Sequence, residues 1–307
     1  MSRANLPDSV VVCECWARDG LQSMPVLVPT AAKIEMIDRI TAAGFPKGIR
    51  RRPGVSHVVL MPNERGFDRL EVCQKEGYGA EEIILMISSS ERHNVLNFRM
   101  AHADAMAEHA RVMRRAHALG IRIIGCAGTV YGCPVAGDVP YADVAKIVRF
   151  YLEEGAQTIM LGDTTGMANP VQVRERIAAL RADFASAEFI AHFHDTRGTG
   201  VVNSVAALEL GLRYVDTSLG AIGGQPATGK AKYSAGFTGN TCTEDLVALI
   251  EEMGVRTGVD LAAMIEAGIR AEDVLGQRLR SNVIRAGPVI HVESSAEKEP
   301  GTAALPT

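Results

Sequence analysis

Short apolar runs alternate with longer amphipathic segments along most of this chain of 307 residues. The runs at residues 82–87 and 189–194 have the length of a strand, while residues 141–154 repeat their apolar positions with the period of a helix. Strands that are apolar throughout and are joined through helices pair in parallel and are covered on both faces. The alternation therefore predicts an α/β fold built on one parallel sheet.

Charged and polar residues of the types found in active sites follow several of these runs. Arg18 and Asp19 follow the run at residues 10–15, Asp163 follows residues 158–161, and His194 ends residues 189–194. A (β/α)8 barrel keeps its active site in the loops at the carboxyl ends of its strands. A doubly wound open sheet would also bind ligands there, but usually with a Gly-rich phosphate loop after its first strand, which residues 16–22 do not form. The barrel is favoured.

We therefore predict a (β/α)8 TIM barrel, with C-terminal helices, over residues 10–285. We expect residues 1–9 to be a flexible N-terminus and residues 286–307 a largely disordered tail, because the tail is rich in Ser, Ala, Glu, Pro and Thr. Seven strand-like runs are found, at residues 10–15, 57–60, 82–87, 122–126, 158–161, 189–194 and 214–218. The barrel is thus one strand short.

His192 and His194 form the most informative pair of side chains. Residues i and i+2 of a strand point to the same side, so both imidazoles would project together near its carboxyl end. One carboxylate from another strand would complete a half-shell of metal ligands and leave positions open for substrate. For such a pair taken alone, two histidines at the edge of a core are the alternative interpretation.

Arg18 and Asp19 place a fixed cation beside a carboxylate at the end of the first strand. An aspartate is a hard oxygen ligand suited to Mg²⁺ or Mn²⁺, and an arginine could stabilise a developing oxyanion without titrating. Taken alone, residues 18–22 would fit a surface turn equally well.

Six motifs occur in a fixed order over about residues 10–285: Arg18-Asp-Gly-Leu-Gln22, Gly132-Cys-Pro134, Leu161-Gly-Asp-Thr164, His192-Phe-His-Asp-Thr196, Gly223-Gly-Gln-Pro226 and Gly239-Asn-Thr-Cys-Thr-Glu-Asp-Leu246. Together they closely resemble the hydroxymethylglutaryl-CoA lyase family. This family is a branch of the metal-dependent barrel lyases and acyl-transfer synthases that includes isopropylmalate and homocitrate synthases. The resemblance implies cleavage of 3-hydroxy-3-methylglutaryl-CoA, or a close analogue, into acetyl-CoA and acetoacetate by a retro-Claisen-type step.

The resemblance also implies a metal centre. Asp19, His192 and His194 would bind a divalent cation, Mg²⁺ or Mn²⁺, with Asn240 as a further ligand or a loop anchor. Either Asp19 or His192 could take the proton of the substrate hydroxyl, and the sequence does not separate them.

Three more residues would surround the substrate if the resemblance holds. Arg18 would lie beside the substrate carbonyl, and Asp163 would line the same mouth. Gln22 is predicted to contact the substrate near the metal, although a turn-stabilising amide is an equal alternative.

Gln225 departs from the family pattern. The lyases have Gly-Gly-Cys-Pro in this loop and their cysteine is taken to assist proton transfer, whereas an amide cannot act as a thiol acid. We still place Gln225 at the substrate, in a loop several residues longer than usual. Two alternatives therefore stay open: a lyase for another branched 3-hydroxyacyl-CoA, such as a citramalyl-CoA-like thioester, and a non-catalytic barrel.

The region around residues 45–56 is a second departure. It lacks about two dozen residues that would form a strand with an acidic residue, a Ser-Pro-Lys-type loop and a helix. Either the printed sequence omits residues here or the protein is shortened, which would expose strand edges. We favour omission, which predicts a break in the chain within residues 45–49, with Cα separations well beyond the 3.8 Å of a trans peptide.

Bulk properties exclude several classes of partner. A net charge of −4 gives no reason to expect nucleic acid or an anionic membrane. The six cysteines are scattered, without the pairs of a zinc site, and no secretion signal is recognisable. We therefore expect reduced thiols, a cytoplasmic location and an acyl-CoA substrate; a homodimer is expected by family likeness alone.

Overall fold

The computed structural model describes residues 5–22, 24–44, 56–224 and 239–291. In this part of the chain, seven strands form one sheet in the order β1-β7-β6-β5-β4-β3-β2, and every neighbouring pair is parallel. The strands are β1 (Val11–Glu14), β2 (Val58–Leu60), β3 (Glu82–Ser88), β4 (Arg122–Gly128), β5 (Thr158–Asp163), β6 (Glu188–Phe193) and β7 (Tyr214–Thr217).

Helices follow the strands and cover the sheet. They are α1 (Thr30–Ala42), α2 (Glu64–Lys75), α3 (Glu91–Phe98), α4 (His102–Ala118), α5 (Tyr141–Glu153), α6 (Pro170–Asp183), α7 (Gly200–Glu209), α8 (Thr243–Glu252), α9 (Leu261–Leu275) and α10 (Val283–Ala286). Two short turns matter for the site: a π-helical turn at Trp16–Gly20 after β1, and a 3-10 turn at Leu219–Ala221 after β7.

The predicted barrel-type fold is confirmed, and each of the seven strand-like runs overlaps an observed strand. Within the described ranges the sheet curls but does not close: β1 and β2 end the strand order and are not paired with each other. The predicted break at residues 45–49 lies outside the described residues and stays a prediction, as do the domain boundaries.

Apolar side chains fill the space inside the curled sheet. A buried cluster of Ile84, Ile124, Cys126, Met160 and Ile190 comes from four neighbouring strands. The register explains the cluster, because Ile84 lies beside Ile124 on the next strand, and Met160 lies between Cys126 and Ile190. Each such side chain stabilises the fold by about 1.5–3 kcal/mol when fully buried. The cluster is the floor beneath the carboxyl ends of the strands.

The other face of the sheet packs against the helices, whose starts follow local sequence signals. Asn169 caps α6 by accepting hydrogen bonds from the backbone N–H groups of Val171 and Gln172. The Gln172 side chain accepts from the backbone N–H of Asn169 in return, and Pro170 occupies the first helical position. Among the described residues, no helix is long and apolar enough to cross a membrane.

Candidate active site

Strand β6 directs two imidazoles into the mouth of the barrel. His192 lies in β6 and His194 just beyond it, and their Nε2 atoms are 3.0 Å apart. Both side chains are buried, with residue exposures of 7% and 2%. The alternation of side chains along a strand thus places the pair on one face, as the sequence predicts.

The π-helical turn after β1 brings a carboxylate to the imidazoles. Asp19 lies in this turn, is buried, and has its Oδ2 atom 3.7 Å from Nε2 of His194. Arg18 donates from its Nη1 atom to Oδ1 of Asp19 at 2.8 Å. The turn packs closely against the segment after β7, since a Cβ at Gly20 would lie 2.8 Å from Oγ of Ser218. Tight packing therefore fixes the position of Asp19.

Asn240 joins the same cluster from a third part of the chain. Its Nδ2 atom donates to Oδ2 of Asp19 at 2.7 Å and to the carbonyl of Ile222 at 3.0 Å. Asn240 is fully buried and pairs in a β-bridge with His194. The structure therefore brings Asn240 to the cluster, as an anchor between Asp19 and the segment after β7.

Asp216 is a functional candidate that the sequence analysis missed. It lies in β7 beside His192, and its Oδ2 atom is 2.7 Å from Nδ1 of His192. A carboxylate in this position accepts the Nδ1 proton, which leaves the lone pair of Nε2 directed at the cavity. The signal was present, because Asp216 is a polar residue near the end of an apolar strand, like Asp19 and Asp163.

In this cluster, burial and neighbouring charges shift the pKa values of the side chains, often in opposite directions. Burial alone would raise the pKa of Asp19, but Arg18 and the two imidazoles outweigh burial and hold that pKa well below its usual range. Burial works to lower the pKa of His192, yet the hydrogen bond and charge of Asp216 raise it above the ordinary value. Burial and the neighbouring His192 lower the pKa of His194 to about 4. His192 thus holds a second proton more readily than His194 does.

The donor set fits a divalent cation. Asp19, His192 and His194 each offer one ligand atom, and these atoms lie within 4.8 Å of one another. No other group of three His, Cys, Asp or Glu residues in the described ranges meets this criterion. Buried Nδ1 of His194 and Oδ1 of Asn240 have no hydrogen-bond partner in the part of the chain that the structure describes. Two Nε2 atoms 3.0 Å apart need either a proton or a cation between them, and these three residues would hold such a cation.

The cluster opens onto a cavity of about 170 Å³ at the carboxyl ends of the strands. Arg18 and Gln22 line this cavity together with the triad. The remaining lining residues are mostly apolar: Leu60, Ile84, Met86, Asn97, Phe98, Cys126, Met160, Gly162 and Thr164. Burial raises the pKa of the Cys126 thiol to about 12, so this thiol is neutral.

Asp163 is not among the residues that line the cavity. It is fully buried at the end of β5, and its two carboxylate oxygens accept from the backbone N–H groups of Met167 and Ala168. Burial raises its pKa to about 6. The observed contacts give Asp163 a part in shaping the loop after β5, and its predicted place at the substrate stays a prediction. Gln225 lies outside the described residues.

A curled parallel sheet with an Asp-His-His cluster at its carboxyl ends defines an enzyme of the α/β-barrel class. Comparisons with known proteins agree on the family. The family model for HMGL-like proteins matches residues 54–269. Hydroxymethylglutaryl-CoA lyase YngG of Bacillus subtilis is 34% identical, over 90% of this chain and 96% of its own length. The mitochondrial hydroxymethylglutaryl-CoA lyase of Bos taurus is 31% identical, over 93% and 91% of the two chains.

Solved structures give the same result. One is an HMG-CoA lyase from Acinetobacter baumannii in complex with coenzyme A and 3-methylmalate. It is 33% identical and superposes with a TM-score of 0.83, over 93% of this chain and 97% of its own. That from Pseudomonas aeruginosa is 31% identical, with a TM-score of 0.84 over 92% and 98% of the two chains. Rhizobium etli pyruvate carboxylase, at 16% identity and a TM-score of 0.63, shares the fold alone. This chain belongs to the HMGL-like family of carbon–carbon lyases.

Proposed function

We propose that this protein is a divalent-metal-dependent lyase that cleaves 3-hydroxy-3-methylglutaryl-CoA, or a close analogue, into acetyl-CoA and acetoacetate. The observation that most supports this function is the convergence of Asp19, from the turn after β1, with His192 and His194, at the end of β6, on one cavity. The relatives at 31–34% identity bear the name of this lyase. Mg²⁺ or Mn²⁺ suits a carboxylate with two imidazoles and open positions for substrate oxygens.

The chain's own residues prepare the reaction. A bound cation supplies a Lewis acid that polarises the hydroxyl and carbonyl oxygens of the substrate. Asp216 holds His192 in the tautomer whose Nε2 faces the cavity. Arg18 adds a fixed positive charge at the mouth, where negative charge develops on the thioester oxygen. The apolar wall excludes water, which strengthens these interactions.

The bonds change in a simple order. Asp19 or His192 accepts the proton of the tertiary hydroxyl of the substrate. The hydroxyl oxygen then forms the ketone carbonyl of acetoacetate as the C2–C3 bond breaks. The electron pair of that bond passes into the thioester as the enolate of acetyl-CoA. A general acid then protonates the enolate carbon. With Gln225 in place of the family cysteine, the chain has no thiol at that loop position to supply this proton.

A second candidate is cleavage of another branched hydroxyacyl-CoA. The Acinetobacter relative is seen with 3-methylmalate, a smaller hydroxy acid than hydroxymethylglutarate. The change to Gln225 also separates this chain from the family pattern. Turnover measurements on both kinds of thioester separate the two candidates.

The test is acetyl-CoA release by metal-stripped protein before and after addition of Mg²⁺ or Mn²⁺. We expect cleavage of hydroxymethylglutaryl-CoA with the metal and none without it. Asp19→Ala should lower the rate by about 10²-fold or more, while Asp104→Ala, on the exposed side of α4, should not change it. Preference for a smaller branched thioester would select the second candidate, and metal binding without cleavage of any thioester would reject both.

We also propose a cytoplasmic location and a homodimeric assembly. All six cysteines lie in the described residues and none is in a disulfide, which agrees with a cytoplasmic location. The homodimer stays a prediction, to be tested by sedimentation of the purified protein.

A further inference from the structure

Two cavities meet at the end of helix α3. The cavity that holds the triad shares three of its lining residues, Met86, Asn97 and Phe98, with a second cavity of about 220 Å³. This second cavity, which we call the rear chamber, lies between the start of α2, helix α3 and helix α4. Its other lining residues are Pro62, Asn63, Asn94, Met100, Ala105 and His109. The three shared side chains therefore form the partition between the two spaces.

The partition is formed at a helix terminus. Phe98 is the last residue of α3, and Arg99 ends the helix in a left-handed conformation with φ of 58°. Phe98 is only half-buried, and so is Met86, which lies on the inner face of β3. Both side chains line the two cavities, so their half-buried surfaces border open space and do not fill a core.

The rear chamber suits an apolar group. Two of its polar side chains already have partners in the protein: Asn94 accepts from the N–H of Ser88 and donates to the carbonyl of Met100. Asn63 caps helix α2 by accepting from Gly66. Such satisfied groups gain nothing from a polar ligand, whereas a hydrocarbon substituent would bury its surface against the apolar lining.

We propose that Phe98 determines the size of the substituent that the substrate carries at C3, by separating the triad cavity from the rear chamber. The proposal rests on the lyase function argued above and names the substrate class of the same site: acyl-CoA thioesters whose C3 branch is no larger than a methyl group. Phe98 lines both the triad cavity, of about 170 Å³, and the rear chamber, so a C3 substituent that extends from the triad towards the rear chamber meets its ring.

The experiment compares C3-methyl, C3-ethyl and C3-propyl acyl-CoA thioesters. Those with the 3-hydroxyl report kcat/KM, and those without it, which cannot be cleaved, report Kd. We expect the wild-type protein to discriminate against each added methylene by about 10-fold or more. Phe98→Ala should reduce the preference for methyl over propyl to within about 3-fold. Filling the rear chamber in the double variant Phe98→Ala with Ala105→Leu should restore the wild-type preference.

Leu96→Ala is the matched control, since Leu96 lies on the same helix with 54% of its surface exposed. It should leave the preference unchanged. Equal binding of the methyl and propyl thioesters by the wild-type protein, or an unchanged preference in Phe98→Ala, would overturn the proposal. Because the Kd values need no turnover, a protein that binds the series with the expected preference but cleaves none of it would refute the lyase function and leave the partition supported.

Discussion

At the scale of single residues, we expect the contact between His192 and Asp216 to increase the affinity of the site for metal. We predict that Asp216→Asn lowers the affinity for Mn²⁺ by about 10- to 100-fold, because the Nδ1 proton of His192 loses its anionic acceptor. Isothermal titration of metal-stripped protein measures the change, and circular dichroism checks the fold. An unchanged affinity would show that Asp216 does not orient His192.

His109 gives the protein a dependence of stability on pH. It is buried beside the hydroxyl of Tyr151, and burial lowers its pKa from 6.5 to about 4. Between these pH values the unfolded chain binds a proton that the folded chain excludes, so stability falls as the pH drops from 6.5 towards 4. This loss amounts to roughly 3 kcal/mol.

We predict that His109→Gln reduces the loss of stability between pH 7 and pH 4.5 and leaves the part that comes from buried His194. Urea unfolding at pH 7 and at pH 4.5 measures the free energy of unfolding of both proteins, and His117→Gln, at an exposed position on the same helix, is the control. If His109→Gln lost as much stability as the wild-type protein over this range, the buried imidazole would not be its source.

The site could be predicted in part from single residues. The spacing of His192 and His194, and the place of Asp19 after a strand, follow from rules of local geometry. Asp216 could not be chosen over other polar residues at strand ends, because its role depends on the register between β6 and β7. Asp163 fits the same rule as Asp19, yet its carboxylate faces the loop after β5.

At the scale of elements, Gly223 controls how closely two loops approach. It has a φ of +110°, and a Cβ there would contact the Asn240 side chain and lie 2.5 Å from the carbonyl oxygen of Asp19. We predict that Gly223→Ala displaces Asp19 and weakens both metal binding and cleavage by about 10-fold or more. Titration with Mn²⁺ and the acetyl-CoA assay measure the two effects.

Gly137→Ala is the matched control for this change. Gly137 also has a positive φ, +80°, but nothing lies within 4 Å of a Cβ there. It should lose stability through backbone strain and keep its metal affinity. Equal losses of affinity in the two variants would attribute the effect to strain rather than to the contact with Asp19.

Strands were more predictable than the turns that carry the ligands. Continuous apolar runs such as residues 82–87 specify buried parallel strands almost without regard to context. The π-helical turn at Trp16–Gly20 has no comparable signal, because its extra residue is fixed by packing of Gly20 against the segment after β7. Ligand positions therefore depend on tertiary contacts that a local pattern does not contain.

At the scale of the whole molecule, the feature with the largest consequence is that β1 and β2 each have an unpaired edge among the described residues. Val11 on β1 and Val59 on β2 are 41% and 39% exposed. A cavity of about 560 Å³ opens at the amino ends of the strands, between side chains that include Val11 and Val58. A closed barrel would cover this surface and pair both strand edges.

We predict that a protein of the printed sequence alone is stabilised when the strand–loop–helix segment of a relative is inserted between Gly44 and Ser56. Pairing of two edges adds hydrogen bonds worth about 1 kcal/mol each, and burial of the exposed valines adds more. Scanning calorimetry should show a Tm higher by at least about 5 °C. A Gly/Ser segment of equal length is the control, and an equal Tm for both insertions would show that no strand had been added.

The position of one bound cation tests the central proposal most directly. Anomalous diffraction from crystals soaked in Mn²⁺ should show one strong peak per chain, about 2.1 Å from Nε2 of His192, Nε2 of His194 and a carboxylate oxygen of Asp19. The peak should be lost in Asp19→Ala. A peak at another place, or none at saturating Mn²⁺, would contradict a metal-dependent lyase built on these three side chains.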